Sequence, residues 1–229
     1  MTTHDQALEA VASRRRSPGR PKLPLERIIA TALEITETDG AEALSMRALA
    51  QRLNSGTATL YRHFHNRAAL VGQVVDEVFG EVDLDADELA AMGWQAACRT
   101  VAHGMFDALG RHRNVALLLV EEIPLGPNAM VVRERCLAVL LDSGFAPEVA
   151  ARAYAAVAGH VLGSAMQLGG QGTAGRDADA GVSAAFHTAD PSHYPATVAV
   201  ADSLPVPLRE EFTFGLDLLL EGLNQLRGK

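Results

Sequence analysis

The chain has 229 residues, 48% of them hydrophobic, and a formal net charge of −8. It is long enough to bury a substantial core. No apolar run approaches the roughly 20 residues that span a bilayer and the N-terminus lacks a signal peptide's apolar centre, so a cytoplasmic location is expected. Net acidity would exclude a nucleic-acid partner only if the charge were evenly spread, but residues 1–70 balance to +3 and residues 71–229 to −11, and a basic head on an acidic body orients on a polyanion.

Residues 1–24 read as a flexible basic arm. Arg14, Arg15, Arg16, Arg20 and Lys22 cluster there without an acid among them, and Pro18, Gly19 and Pro21 prevent a regular helix. Such an arm either follows a DNA minor groove, with Arg20 at its centre, or serves only as a solubilising extension. A helix is predicted over 25–39, with Leu25, Ile28, Ile29, Ala32 and Leu33 on its buried face and Gly40 as its stop.

The next stretch, 44–70, holds four arginines, two histidines and no acid. Met46, Leu49, Ala50 and Leu53 recur at helical spacing behind Ser45, a candidate N-cap. Asn54, Ser55 and Gly56 supply turn chemistry. A second short helix is expected over 57–64, with Leu60 and Phe64 inward and Thr57, Ala58, Thr59, Tyr61, Arg62 and His63 on or near the outward face. Small residues at the start of such a helix let it sit deep in a major groove, where Tyr61, Arg62 and His63 reach phosphates or base edges. Asn66 is a cap for a third helix carrying Leu70, Val71, Val74, Val75, Val78 and Phe79, and Arg67 in its first turn is placed to meet the DNA backbone. Charge and periodicity alone fit equally a solvated basic helix pair in an ordinary helical protein.

Residues 25–79 resemble the N-terminal domain of the tetracycline repressor (TetR) family. The likeness runs through Ile28, Ala32, Leu33 and Gly40, then Ser45-Met46-Arg47 and Leu49-Ala50, and ends with Thr59-Leu60-Tyr61-Arg62-His63-Phe64, Asn66-Arg67 and Leu70. It implies a helix-turn-helix DNA-binding domain over 25–79, with Arg20, Ser45, Arg47, Thr57, Ala58, Thr59, Tyr61, Arg62, His63 and Arg67 as candidate DNA contacts. Two departures stand in the turn. Asn54 replaces the usual Gly, and Asn tolerates the left-handed conformation. Ser55 replaces a usual Val or Ile and removes one apolar contact.

Beyond Phe79 an acidic stretch over 81–88 suggests a junction. Helices are expected over 94–110, 114–120, 127–143 (closed by Gly144), 147–168 and 207–226, with Pro127, Pro147 and Pro207 opening three of them. Residues 169–192, rich in Gly, Ala, Asp and Thr, read as a mobile loop, and 193–201 as a short helix. No period-2 segment of useful length occurs, so the fold class is all-α: a three-helix N-terminal domain, then a larger helical domain over 80–229. That second part resembles the tetracycline-repressor-like ligand domain through Trp94, Gly126-Pro127-Asn128-Ala129, Ala153-Tyr154, Gly163 and the Phe212-x-Phe214-Gly215-Leu216-Asp217 run.

The resemblance implies a homodimer binding double-stranded operator DNA and a small-molecule effector that releases it, with the 147–168 and 207–226 helices of two copies forming a four-helix bundle. Candidate interface residues are Ala153, Val157, Phe212, Leu216, Leu219, Leu220 and Leu223. The alternative is that these stripes pack only inside one chain. Candidate pocket residues are His103, Phe106, Met130, His160 and Gln167, each of which also fits an ordinary core role. Aligning 111–124 without gaps puts Leu119 where the tetracycline repressor has its metal-binding histidine. Leu cannot coordinate Mg²⁺, so no metal or cofactor is expected, and the effector should be a fairly apolar molecule.

Cys98 and Cys136 have no metal-type spacing and read as buried thiols. His63 and His65 diverge on a helix. No nucleophile elbow, phosphate loop or H-E-x-x-H pair occurs, and Glu121 and Glu122 lack an acid–base setting, so the chain is not expected to be an enzyme.

Overall fold

The computed structural model describes residues 23–119, 123–170 and 175–227, and its regular structure there is entirely helical. Helix α1 (Leu25–Asp39) begins after extended Pro24 and ends at Gly40, whose φ of 94° suits a residue without Cβ. Its buried face is Ile28, Ile29, Ala32, Ile35 and Thr36, the last donating its hydroxyl to Ala32 O at 3.0 Å. Leu25 is exposed and does not join that face.

Helix α2 (Met46–Arg52) is capped by Ser45 Oγ, which accepts from the Ala48 N–H at 3.1 Å. It ends in a left-handed turn: Asn54 has φ 48° and the Ser55 N–H donates to Ala50 O at 2.8 Å, the six-to-one closure of a Schellman motif. Helix α3 (Thr57–Leu60) is one turn long rather than two. The His63 and Phe64 N–H groups both donate to Leu60 O, at 2.8 and 2.9 Å, and this tight turn brings Phe64 inward beside Leu60. Burying one such side chain is worth about 1.5–3 kcal/mol.

Helix α4 (Arg67–Phe79) is capped by Asn66, which accepts from the Ala69 N–H at 2.8 Å. Leu70, Val71, Val74, Val75, Val78 and Phe79 are all buried. An apolar face this wide lets α4 touch α1 on one side and the C-terminal helices on the other.

The acidic stretch contains a helix, α5 (Ala86–Ala91), capped by Asp85 Oδ1, which accepts from the Asp87 and Glu88 N–H groups at 2.8 and 2.9 Å. Then come α6 (Trp94–Arg111), α7 (Val115–Leu118), α8 (Pro127–Asp142) and α9 (Pro147–Gly170). The expected loop over 169–192 is largely a helix, α10 (Gly175–His187). Helices α11 (Pro195–Ala199) and α12 (Leu208–Asn224) complete the chain. Helix α9 is the centre of the larger part and packs against α6, α7, α8 and α12. Arg99–Asp217 (2.7 Å) and Arg209–Asp107 ion pairs tie α6 to α12.

Candidate functional site

Helices α2 and α3 set one face outward. With Leu60 0% and Phe64 3% exposed, the residues between them cannot turn in, and Tyr61 stands 54% exposed. Arg47, Thr57, Ala58, Arg62 and His63 are also exposed, and Thr59 is half-buried, accepting from Arg62 Nη2 at 3.3 Å. These side chains share one edge of the N-terminal unit.

Two expected contacts, Ser45 and Arg67, are placed differently, and Arg52 is also held within the fold. Ser45 spends its hydroxyl on the α2 cap. Arg67 points back into the fold, donating from Nε to Leu44 O at 2.8 Å and from Nη2 to Ala41 O at 3.4 Å, so it holds the α1–α2 connection rather than presenting its fork outward. Arg52 bridges Glu34 (3.1 Å) and Asp39 (2.7 Å), pinning α2 to α1. Of the four arginines in this basic stretch, Arg47 and Arg62 therefore carry the outward charge. Arg20 and the arm through Lys22 lie outside the described residues, as do Glu121 and Glu122.

A cavity of about 210 Å³ opens between α4, α6, α8 and α9. Phe79 lines it from α4, Met105 and Leu109 from α6, Arg133 from α8, and Tyr154, Val161 and Leu162 from α9, with Leu119 and Ile123 at the rim. Leu119, the residue aligned with the metal-binding histidine, thus faces the cavity. Among the described residues, no group of three or more His, Cys, Asp or Glu could hold a metal ion.

None of the five pocket candidates lines this cavity. His103, Phe106 and His160 surround Phe212 instead: Phe106 stacks on it at 4.2 Å, His160 at 5.2 Å, and His103 meets its edge at 5.1 Å. His160 Nε2 also hydrogen-bonds Phe212 O at 2.8 Å, and a Cβ on Gly215 would come within 2.5 Å of the same ring, which explains a glycine there. Met130 is exposed beside Arg133, and Gln167 is exposed near the 204–208 loop. Soft polar residues flagged these positions, whereas the cavity wall is built mainly from aliphatic and aromatic groups.

The interface candidates need a similar correction. Ala153, Val157, Phe212, Leu216 and Leu220 are each no more than 3% exposed within a single chain, because α9 and α12 bury these stripes against each other and α6. Leu219 and Leu223 are half-buried. The apolar side chains left outward on α12 are Phe214 (67% exposed) and Leu218 (59%), and α9 carries exposed small residues, Ala155, Ala156 and Gly163, with Gly159 also at the cavity wall.

Two linkages join the N-terminal unit to the cavity's walls. Asp76, buried in α4, accepts the Ala129 N–H of α8 at 2.9 Å, and its own carbonyl accepts from Asn128 Nδ2 at 3.1 Å. On the other side, His112 hydrogen-bonds Glu37 of α1 and Glu81 (2.6 Å), while Asn114 Nδ2 donates to Thr36 O at 3.0 Å. Burial alone would lower the His112 pKa, but the Glu37 and Glu81 carboxylates outweigh it and raise it. Burial would raise Glu81, but Arg111 and His112 hold it below the usual carboxylate range.

Cys98 and Cys136 are both buried, and a thiol–thiol hydrogen bond with burial pushes Cys98 up.

Comparison with known proteins accounts for both halves. Residues 28–74 match the family described as bacterial regulatory proteins, tetR family, and residues 88–227 match the tetracyclin repressor-like C-terminal domain. The HTH-type transcriptional repressor DrrR1 of Streptomyces coeruleorubidus is 29% identical over 96% of this chain and 86% of its own length. The structure of ActR from Streptomyces coelicolor in complex with actinorhodin superposes with a TM-score of 0.79 at 31% identity, covering 90% of this chain and 99% of that one. TetR-Q116A from Acinetobacter baumannii AYE in complex with minocycline gives a TM-score of 0.66 at 25% identity, covering 91% and 100%. No helix among the described residues is long and apolar enough to cross a membrane. An outward Tyr61–His63 edge on a helix-turn-helix, a largely apolar cavity and these two matched domains place the chain in the TetR family, as a ligand-responsive DNA-binding transcriptional repressor.

Proposed function

We propose that this repressor acts in the cytoplasm as a homodimer whose two Tyr61–His63 edges read successive major grooves of an operator, about 34–36 Å apart, and that an apolar effector in the α4–α6–α8–α9 cavity releases it. Thr57, Ala58 and Thr59 approach the bases. Arg47 and Arg62 meet phosphates, and the 1–24 arm adds a minor-groove contact. Residues 25–79 serve as the DNA-binding domain and 80–229 as the ligand and dimer domain. The observation that carries this reading is that one helix spans both sites. Helix α4 starts at its Asn66 cap, two residues after the buried Phe64 that sets the reading edge, and ends at Phe79 in the cavity wall.

An effector that pushes on Phe79 tilts α4 and with it α2 and α3. Affinities for operator and effector are then reciprocally linked. Relatives bound to actinorhodin and minocycline support a ring-containing effector. Leu119 at the cavity rim supports one that is not held through a metal chelate. The dimer is expected on Phe214 and Leu218 of α12 with the small-residue face of α9, whose glycines and alanines permit close helix approach. Titrating operator-bound protein with candidate effectors while following DNA anisotropy tests the switch. An effector that saturates the cavity and leaves operator affinity unchanged would remove it.

A further inference from the structure

Arg133 is the ionised side chain among the described residues lining the cavity. It comes from the second turn of α8 and lies over the Tyr154 ring, 5.6 Å from the centroid. Of its five N–H donors, one reaches Pro124 O at 2.9 Å and one the Met130 thioether, a weak acceptor. The remaining three have no carboxylate or carbonyl partner among the described residues. Phe79, Met105, Leu109, Leu119 and Leu162 form the wall around it and offer no acceptor. A half-buried guanidinium in such a setting is weakly hydrated and tolerates the apolar wall, but its unmet donors favour an anion in a planar fork geometry. The Tyr154 ring lies within cation–π reach of the guanidinium and offers an aromatic surface to a ligand lying alongside.

The geometry points to Arg133 as the specificity-determining residue of this cavity, selecting an aromatic acid: a flat apolar body bearing a carboxylate or an ionised phenol. This rests on the reading that the cavity is the effector site. The acid group sits against Arg133, and the rings lie between Phe79 and Tyr154.

The test uses the full-length protein with 2-naphthoate and its methyl ester as probes, titrated by calorimetry against wild type, Arg133→Gln and Arg133→Lys. Naphthoate is expected to bind at least about tenfold more tightly than the ester. Arg133→Gln should remove that preference while leaving ester binding in place, which also shows that the cavity remains folded. Arg133→Lys should keep part of it, through charge without the fork. Equal affinity for acid and ester in wild type, or a preference that survives Arg133→Gln, would overturn the assignment, as would failure of both probes to bind at millimolar concentration. Operator affinity followed in the same samples separates the two readings. An Arg133-dependent preference for naphthoate that leaves DNA binding untouched supports the acid-selective cavity and removes its role as the effector site.

Discussion

Asp76 offers the sharpest test of how the two halves are joined. Its side chain is 5% exposed, and its Oδ1 holds the Ala129 N–H at 2.9 Å, in the first turn of α8 where backbone donors have no intrahelical partner. A Cβ on Gly126 would fall 2.2 Å from the same carboxylate, so the loop is shaped around it. Asp76→Ala removes a hydrogen bond to a charged acceptor, worth about 1.5–3 kcal/mol, and an anion at a helix N-terminus, worth about 0.3–1 kcal/mol. The combined loss of roughly 2–4 kcal/mol should lower Tm by roughly 4–16 °C in a chain of this length. Asp76→Asn keeps an acceptor and should lose less than half as much. Differential scanning calorimetry reads the stability. Operator anisotropy with and without effector reads the coupling, which should fall in Asp76→Ala because α4 is no longer pinned to α8. A Tm change under about 2 °C with coupling intact would refute the reasoning.

Arg62→Ala should weaken operator binding and reduce the slope of log affinity against log salt by roughly one phosphate's worth per half-site; an unchanged slope would place Arg62 off the backbone. Leu218→Glu should convert dimers to monomers in sedimentation velocity at micromolar concentration, since it puts a charge in the proposed interface, and a dimer that persists would move the interface elsewhere. The His112 linkage predicts a pH profile. His112 has a raised pKa, so its contribution is complete below its ordinary 6.5 and is lost as pH rises through the raised value. Glu81 is lowered, so its contribution is complete above its ordinary 4.5 and is lost as pH falls through the lowered value. Thermal stability should therefore decline as pH rises above the ordinary imidazole value of 6.5 more steeply in wild type than in His112→Gln, and parallel profiles would show that His112 does not carry the effect.

The local signals were the legible ones. Ser45 and Asn66 as caps, Gly40 as a stop, Asn54 in the left-handed region and the inward pair Leu60 and Phe64 all depend on a few neighbouring residues, and the structure places them as the sequence implies. Helix α5 was hidden by its charge. Asp85 with Asp87 and Glu88 behind it resembles a linker, yet a capping acid followed by acids in the first turn is equally a helix start. Helix α10 was obscured by Gly175 at its start and Gly181 in its middle, within a composition that suits a loop. Periodicity separates the inward stripe of α12 from its outward one, but not a stripe buried by its own chain from one awaiting a second copy. Phe212, Leu216 and Leu220 belong to the first kind. The cavity was the least legible. Arg133, Leu119 and Tyr154 become neighbours only where four helices converge, and no one-dimensional spacing records that meeting.

The central claim is that the Tyr61 edge, presented twice, reads DNA. The most direct measurement is selection of duplexes from a random pool by the full-length protein, followed by anisotropy titration of the enriched site with wild type and Tyr61→Ala. Enrichment of a two-fold symmetric site, bound by two chains and at least about tenfold more weakly by Tyr61→Ala, is the expected result. No enrichment, or a symmetric site bound equally well by both proteins, would contradict it.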